Sequence, residues 1–150
     1  MYTHILVPTD GSPLSDYGVE QALALASALK AKVTLFTTVE PFQLLSYSPE
    51  QIAETRDAYE RYAKAHADQC LQQALAKAEE LGVSCQTQQV SSEDPHAAII
   101  EAAREHSCDL IAMASHGRRG VKALVLGSVT AKVLTHSQIP VLVYRKYDSQ

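Results

Sequence analysis

The chain has no apolar run near the ~20 residues a helix needs to cross a bilayer, and its start, MYTHILVPTDGS, lacks the charged head and small-residue cleavage site of a secretory signal. A cytoplasmic protein without a membrane partner is the expectation. Cysteine is scarce: Cys70, Cys85 and Cys108 are three, an odd number, with no C-x-x-C spacing. That argues against a disulfide framework or a zinc knuckle and for inert thiols. Basic charge is not in excess either, with 13 lysines and arginines against 17 acidic residues and a formal net charge of −4. No nucleic acid is expected as the main partner. Two phosphate-binding signatures are missing as well: G-x-x-x-x-G-K-[ST] and, after a strand, G-x-G-x-x-G. Their absence sets aside a standard NTPase and a dinucleotide-dependent dehydrogenase.

What is present fits one domain over residues 1–150, 46% hydrophobic and without internal repeats. THILVP reads as a buried strand over Thr3–Pro8 that ends in an Asp-Gly turn. Ser12 followed by Pro13 opens a helix whose apolar positions Leu14, Gly18, Ala22, Leu25 and Leu29 carry it to about Lys30. Lys32–Val39 is a second strand. Ser48 with Gln51 forms a capping box around Pro49, and a helical pattern runs to Leu81 before Gly82. Its length suggests a kink or a frayed first section. Its packing face is late, at Ala67, Leu71, Ala74, Ala78 and Leu81, while AETRDAYERYAKAH is charged nearly all round. VSCQTQQV has the polar alternate positions of an edge strand. A helix from Asp94 and Pro95 to about His106, a strand over Asp109–Ser115, a helix over Ser128–His136 and the strand IPVLVYR complete the chain. Strict alternation of this kind requires crossover helices between parallel strands, hence an α/β, doubly wound open five-stranded parallel sheet with helices on both faces. IPVLVYR would then form an exposed sheet edge, which antiparallel pairing with a second copy across a two-fold axis would cover.

Two loops have the composition of a ligand site. VPTDGS leaves the first strand, and ASHGRRG with its following GSVT leaves the fourth. In open parallel sheets ligands lie beyond the carboxyl ends of the strands where connections diverge, so adjacency of strands one and four would place both loops on one cleft and imply the order 3-2-1-4-5. Gly127 and Ser128 open the last helix, where free amides and the positive end of the helix dipole suit an anion. A helix terminus supplies about 0.3–1 kcal/mol, or ~2 when partly buried, against about 8 for micromolar binding. The Ser128 and Thr130 hydroxyls, the amides near Gly117 and the guanidinium groups of Arg118 and Arg119 would have to add to it, together with apolar contacts to a base.

The whole chain resembles the universal stress proteins. HILVPTDGS, DLIAMASHGRRG with LGSVTAKVL, and IPVLVYR follow that family's pattern in order. Its nucleotide-binding members carry G-x-x-G, nine residues, then G-[ST]; here Ala114, Ser115, His116 and Gly117 precede nine residues and then Gly127 and Ser128. The resemblance implies an adenine nucleotide alpha hydrolase-like fold, ATP (or ADP or AMP) with Mg or Mn, and a homodimer through Ile139 to Arg145. It also implies site residues: Pro8, Thr9 and Asp10 at the adenosine and the metal, Val39 and Met113 near the base, and Gly117, Gly127, Ser128, Val129 and Thr130 around the phosphates. Ala114, His116 and Arg118 complete the set. The Ala114 methyl stands where the family has glycine, and Gly127→Val would fill the phosphate's place with the fold intact.

Plainer readings stay open beside these. Gly117, Gly120 and Gly127 also suit turns and caps, Arg118 and Arg119 a solvated pair, His116 a structural role, and Asp10 a turn cap. His66, His96, His106 and His136 show no metal-ligand spacing. The function expected from the resemblance is a nucleotide-dependent stress-response regulator. A slow ATPase or nucleotidyl transferase and a nucleotide-free interaction module are its alternatives.

Overall fold

The computed structural model describes residues 1–42, 49–116 and 126–146. Strands and helices alternate as β1 (His4–Pro8), α1 (Pro13–Leu29), β2 (Lys32–Val39), α2 (Pro49–Glu80), β3 (Cys85–Ser91), α3 (Pro95–Glu105), β4 (Leu110–Ala114), α4 (Ser128–His136) and β5 (Val141–Tyr144). The strands form a parallel sheet in the order β3-β2-β1-β4-β5, as the alternation predicts. The central strands are apolar on both faces because both faces are covered: Ile5, Leu6 and Val7 are fully buried, and every residue of β4 is buried. The polar β3 lies at one edge with Gln86 and Thr87 exposed.

One core layer packs α1 and α2 on Ile5, Val7, Val33, Leu35 and Ala112; the other packs α3 and α4 on Leu6, Phe36, Ile111 and Met113. Phe36 is the largest fully buried side chain, and removing it from water contributes about 1.5–3 kcal/mol. Ser12 caps α1 by accepting the Ser15 amide. With no glycine at its far end, α1 places Lys30 in the left-handed region at φ 57°. Its buried face is Gly18, Val19, Ala22, Leu23 and Ala26. Leu14, Leu25 and Leu29 of the expected stripe are only half-buried, because the sheet beneath is broader than one line of side chains.

Helix α2 is one continuous element of 32 residues, some 48 Å at ~1.5 Å per residue, where a kink or frayed start was expected. Its first section overhangs the core, as the charged pattern implies, and Ala67, Cys70, Leu71, Ala74 and Ala78 face inward. Leu81 belongs to the expected face but is exposed, since the helix stops at Glu80, Gly82 turns left-handed and the buried Val83 takes over that flank. Ser48 and the side chain of Gln51, the expected capping box, lie outside the described residues, as do residues 43–47 of the loop before it. None of the described helices is long and apolar enough to cross a membrane.

At the amino end of the sheet lies a polar network. His4 is buried, and its Nε2 pairs with Thr34 Oγ1 at 2.7 Å; the Gln86 amide donates to the same oxygen at 2.8 Å. His106 bridges to Gln88 at 2.8 Å, and the Asp109 carboxylate accepts the amides of Thr3 and His4. Burial lowers the His4 pKa from 6.5 and Lys32 lowers it further, against smaller opposing effects of a backbone hydrogen bond at His106 and of Asp109. The folded protein therefore holds His4 neutral while the unfolded chain protonates near its ordinary value. The resulting stability is full above pH 6.5 and is lost as pH falls from there through the depressed folded value. Chemical denaturation at about pH 7.5 and about pH 5.5 is expected to show a smaller loss for His4→Gln than for wild type; equal losses would place the titration elsewhere.

Candidate functional site

β1 and β4 pair side by side at the middle of the sheet, Ile5 with Leu110 and Leu6 with Ile111. Their following helices leave for opposite faces, α1 to the layer of α2 and α4 to the layer of α3. That divergence opens a crevice between the two carboxyl-end turns.

The turn after β1 satisfies its own amides. Thr9 N–H donates to Phe36 O at 2.8 Å, Asp10 N–H to Ser15 Oγ at 3.1 Å, Gly11 N–H to Thr9 Oγ1 at 3.3 Å and Ser12 N–H to Asp10 Oδ1 at 3.0 Å. Glycine is required at position 11 by its φ of 77°, and a Cβ there would lie 3.3 Å from the Cys70 sulfur. With those donors committed, this side of the crevice presents oxygen atoms and the apolar ring of Pro8 rather than amides.

The start of α4 is the opposite case. Ser115 N–H donates to Tyr144 O at 2.9 Å and anchors the end of β4 to β5; Gly127 N–H donates to Ser115 O at 2.8 Å and brings α4 back to that point. Gly127 is the N-cap and has no side chain to cap the helix. Among the described residues nothing accepts from the amides of Ser128, Val129 and Thr130, the three donors that a helix start leaves unpaired. The Thr130 hydroxyl is committed, donating to Ala114 O at 3.0 Å in a buried position, so the hydroxyl counted on from the sequence is not left over for a ligand. Ser128 is exposed and Val129 half-buried.

Gly127 itself serves a purpose that its sequence context did not reveal. A Cβ there would sit 2.8 Å from His116 Cβ and 3.0 Å from His116 Cα, so the expectation that Gly127→Val leaves the fold intact is corrected: the side chain would strike the turn after β4. Ala114, the last residue of β4, packs toward α1. Its methyl group is buried against Gly18 of α1, where an added Cβ would meet it at 3.2 Å, so helix α1 has made room for it.

Met113 is buried in the core layer of α3 and α4 with Leu6, Phe36 and Val133. His116 is half-buried with Nδ1 3.2 Å from Ser115 Oγ. Gly117 and Arg118, like Arg119 and Gly120, fall outside the described residues.

Val39 ends β2, and its carbonyl accepts Ser92 N–H at 3.0 Å on the β3 side, whereas Phe36 O accepts Thr9 N–H on the β1 side. Backbone polar groups alternate along a strand. Those of Thr38 therefore face the side where β1 has already ended, and Thr38, absent from the sequence reading, carries the strand edge that borders the crevice. Beside Val39 a cleft of about 410 Å³ opens toward α2, with the Arg56 guanidinium 5.7 Å from the Phe42 ring centre and Tyr59 Oη donating to Glu40 O. Arg56, Glu60 and Lys64 step by four along that helix, the signal from which this wall was legible.

An open doubly wound sheet with its crevice between β1 and β4 defines the class. The chain belongs to the universal stress protein family, whose model matches residues 1–145. The universal stress protein YxiE of Bacillus subtilis is 31% identical over 97% of this chain and 100% of its own length. Among solved structures, protein MJ0577 of Methanocaldococcus jannaschii is 26% identical with a TM-score of 0.82, covering 99% of both chains. A universal stress protein in complex with cAMP is 26% identical with a TM-score of 0.71, covering 97% of this chain and 99% of its own.

Replacing Gly127 by alanine is expected to lower stability by about 1–3 kcal/mol, the usual cost of overpacking, because backbone at His116 cannot yield as a flexible side chain would. Urea denaturation measures it, and an unchanged midpoint would mean that the turn relaxes freely.

Proposed function

We propose that this protein binds an adenine nucleotide, ATP or else ADP or AMP, in the crevice between β1 and β4 and acts as a nucleotide-dependent stress-response regulator in the cytoplasm. The observation that carries the reading is the start of α4, which the Gly127–Ser115 hydrogen bond ties to the end of β4 and where, among the described residues, nothing accepts from the amides of Ser128, Val129 and Thr130. The related protein solved with cAMP, a ligand with an adenine base and a phosphate, supports it.

In this reading the phosphates sit on the start of α4, with Gly117 and Arg118 from the loop before it and His116 at its margin. Pro8, Thr9 and Asp10 meet the ribose and base. Thr38 and Val39 border the base on the β2 side, while Met113 and Ala114 support the floor. Among the described residues no three His, Cys, Asp or Glu side chains converge on a metal position. A Mg or Mn ion would accordingly be held by phosphate oxygens, with Asp10 as the nearby carboxylate. The reading is one of binding rather than turnover.

Ser128→Pro tests the amide cradle. Proline is tolerated at the first helical position, where the N–H has no intrahelical partner, and Gly127 already has the extended φ −62°, ψ 155° that a residue before proline requires. The variant is expected to fold as wild type and to bind ATP about tenfold or more weakly, the worth of one hydrogen bond to a charged group. Isothermal titration reads the difference, and unchanged affinity would refute the assignment. Denaturing the purified protein and chromatographing the supernatant identifies the nucleotide that it carries.

The same proposal includes a homodimer through Ile139 to Arg145. Leu142 is partly exposed on β5 at the sheet edge. The carbonyls of Pro140 and Tyr144 accept from β4, so the amide of Val143 points to the open edge. Val143→Pro removes that outward donor without touching the β4 ladder. Sedimentation is expected to find a monomer; a persisting dimer would put the interface elsewhere.

A further inference from the structure

Beneath the turn that carries Asp10, one buried hydroxyl meets two of the residues assigned to the ligand, Thr9 and Asp10. Ser15, in the first turn of α1, accepts Asp10 N–H at 3.1 Å and donates to Thr9 Oγ1 at 2.9 Å. Its own amide donates to the Ser12 cap at 3.3 Å, so the start of the helix sets where the hydroxyl sits. Thr9 Oγ1, accepting from Ser15, also accepts Gly11 N–H at 3.3 Å. We infer that Ser15 is a positioning residue for the nucleotide site: through its hydroxyl it fixes the Asp10 backbone and the Thr9 side chain without being a ligand contact. The inference rests on the nucleotide reading above.

The turn needs such a tie because Gly11, at φ 77°, gives its backbone unusual freedom. Asp10 is then held from two directions, its amide on Ser15 and its Oδ1 on Ser12 N–H at 3.0 Å, which sets the direction in which the carboxylate enters the crevice. The task calls for one atom that accepts and donates at once. Serine and threonine hydroxyls do both, alanine neither, and a thiol both weakly.

The experiment compares wild type with Ser15→Ala and Ser15→Thr in two measurements, amide hydrogen exchange at Asp10 in the nucleotide-free protein and ATP affinity by titration. In Ser15→Ala, exchange at Asp10 is expected to accelerate about tenfold, and ATP affinity to fall about five- to tenfold, the worth of one to two lost hydrogen bonds. The threonine variant is expected to restore both. A role confined to stability would lower the melting temperature and leave the affinity of the folded protein alone. Faster exchange with unchanged affinity, or no change in either, overturns the inference. Should wild type bind no ATP, ADP or AMP, the nucleotide reading falls, and exchange at Asp10 still reports whether Ser15 holds the turn. If the alanine variant does not fold, Ser15→Cys, similar in shape and a poor acceptor, is read by the same outcomes.

Discussion

Coverage of β1 and β4 on both faces is the constraint from which the remaining structure follows. Parallel strands as apolar as these must have helices above and below, and right-handed crossovers allow that only if the chain winds away from the centre in both directions. Helix α1 therefore departs to one face and α4 to the other. The crevice between their starting points is a by-product of burying Ile5, Val7, Leu6 and Ile111 on opposite sides of one sheet.

Within that crevice the two turns divide the hydrogen-bonding work. After β1 the amides from Thr9 to Ser12 are all paired within the protein. At the start of α4 the cap is a glycine with no side chain to offer, and among the described residues nothing accepts from the first-turn amides. Buried polar groups are costly when unpaired, whereas a helix start next to an open crevice can leave its donors to water or to an anion. The contrast gives the site a polarity, donors on one side and acceptors on the other, that suits a ligand with a phosphate end and a base end.

Two small residues keep the arrangement compact. Gly127 lets α4 begin in contact with His116, and Gly18 lets α1 lie against the Ala114 methyl. In each place the pairing is a matter of volume. An alanine on β4 is accommodated because its neighbour on α1 has no side chain. The core layer on the α1 side remains closed around it.

Strand and helix order, the edge position of β3, the extent of β2 and α4 and the opening of α1 at Ser12 and Pro13 were legible in the sequence, because apolar periodicity and capping residues act over a few neighbouring positions. The unbroken course of α2, the exposure of Leu81, the exact stripe of α1, the edge of Thr38 and the commitment of the Thr130 hydroxyl to Ala114 O were not. Leu81 is exposed because Val83, two residues on, takes over its flank once Gly82 turns the chain, and the others depend on partners far away in the chain, such as β1 ending before β2 and the carbonyl at Ala114 lying under α4. The sequence by itself determined which segments are strands and helices and which loops are chemically suited to a ligand; the tertiary structure alone decided which donors and hydroxyls are left over, since a polar group's availability is set by whatever the fold brings within hydrogen-bonding distance.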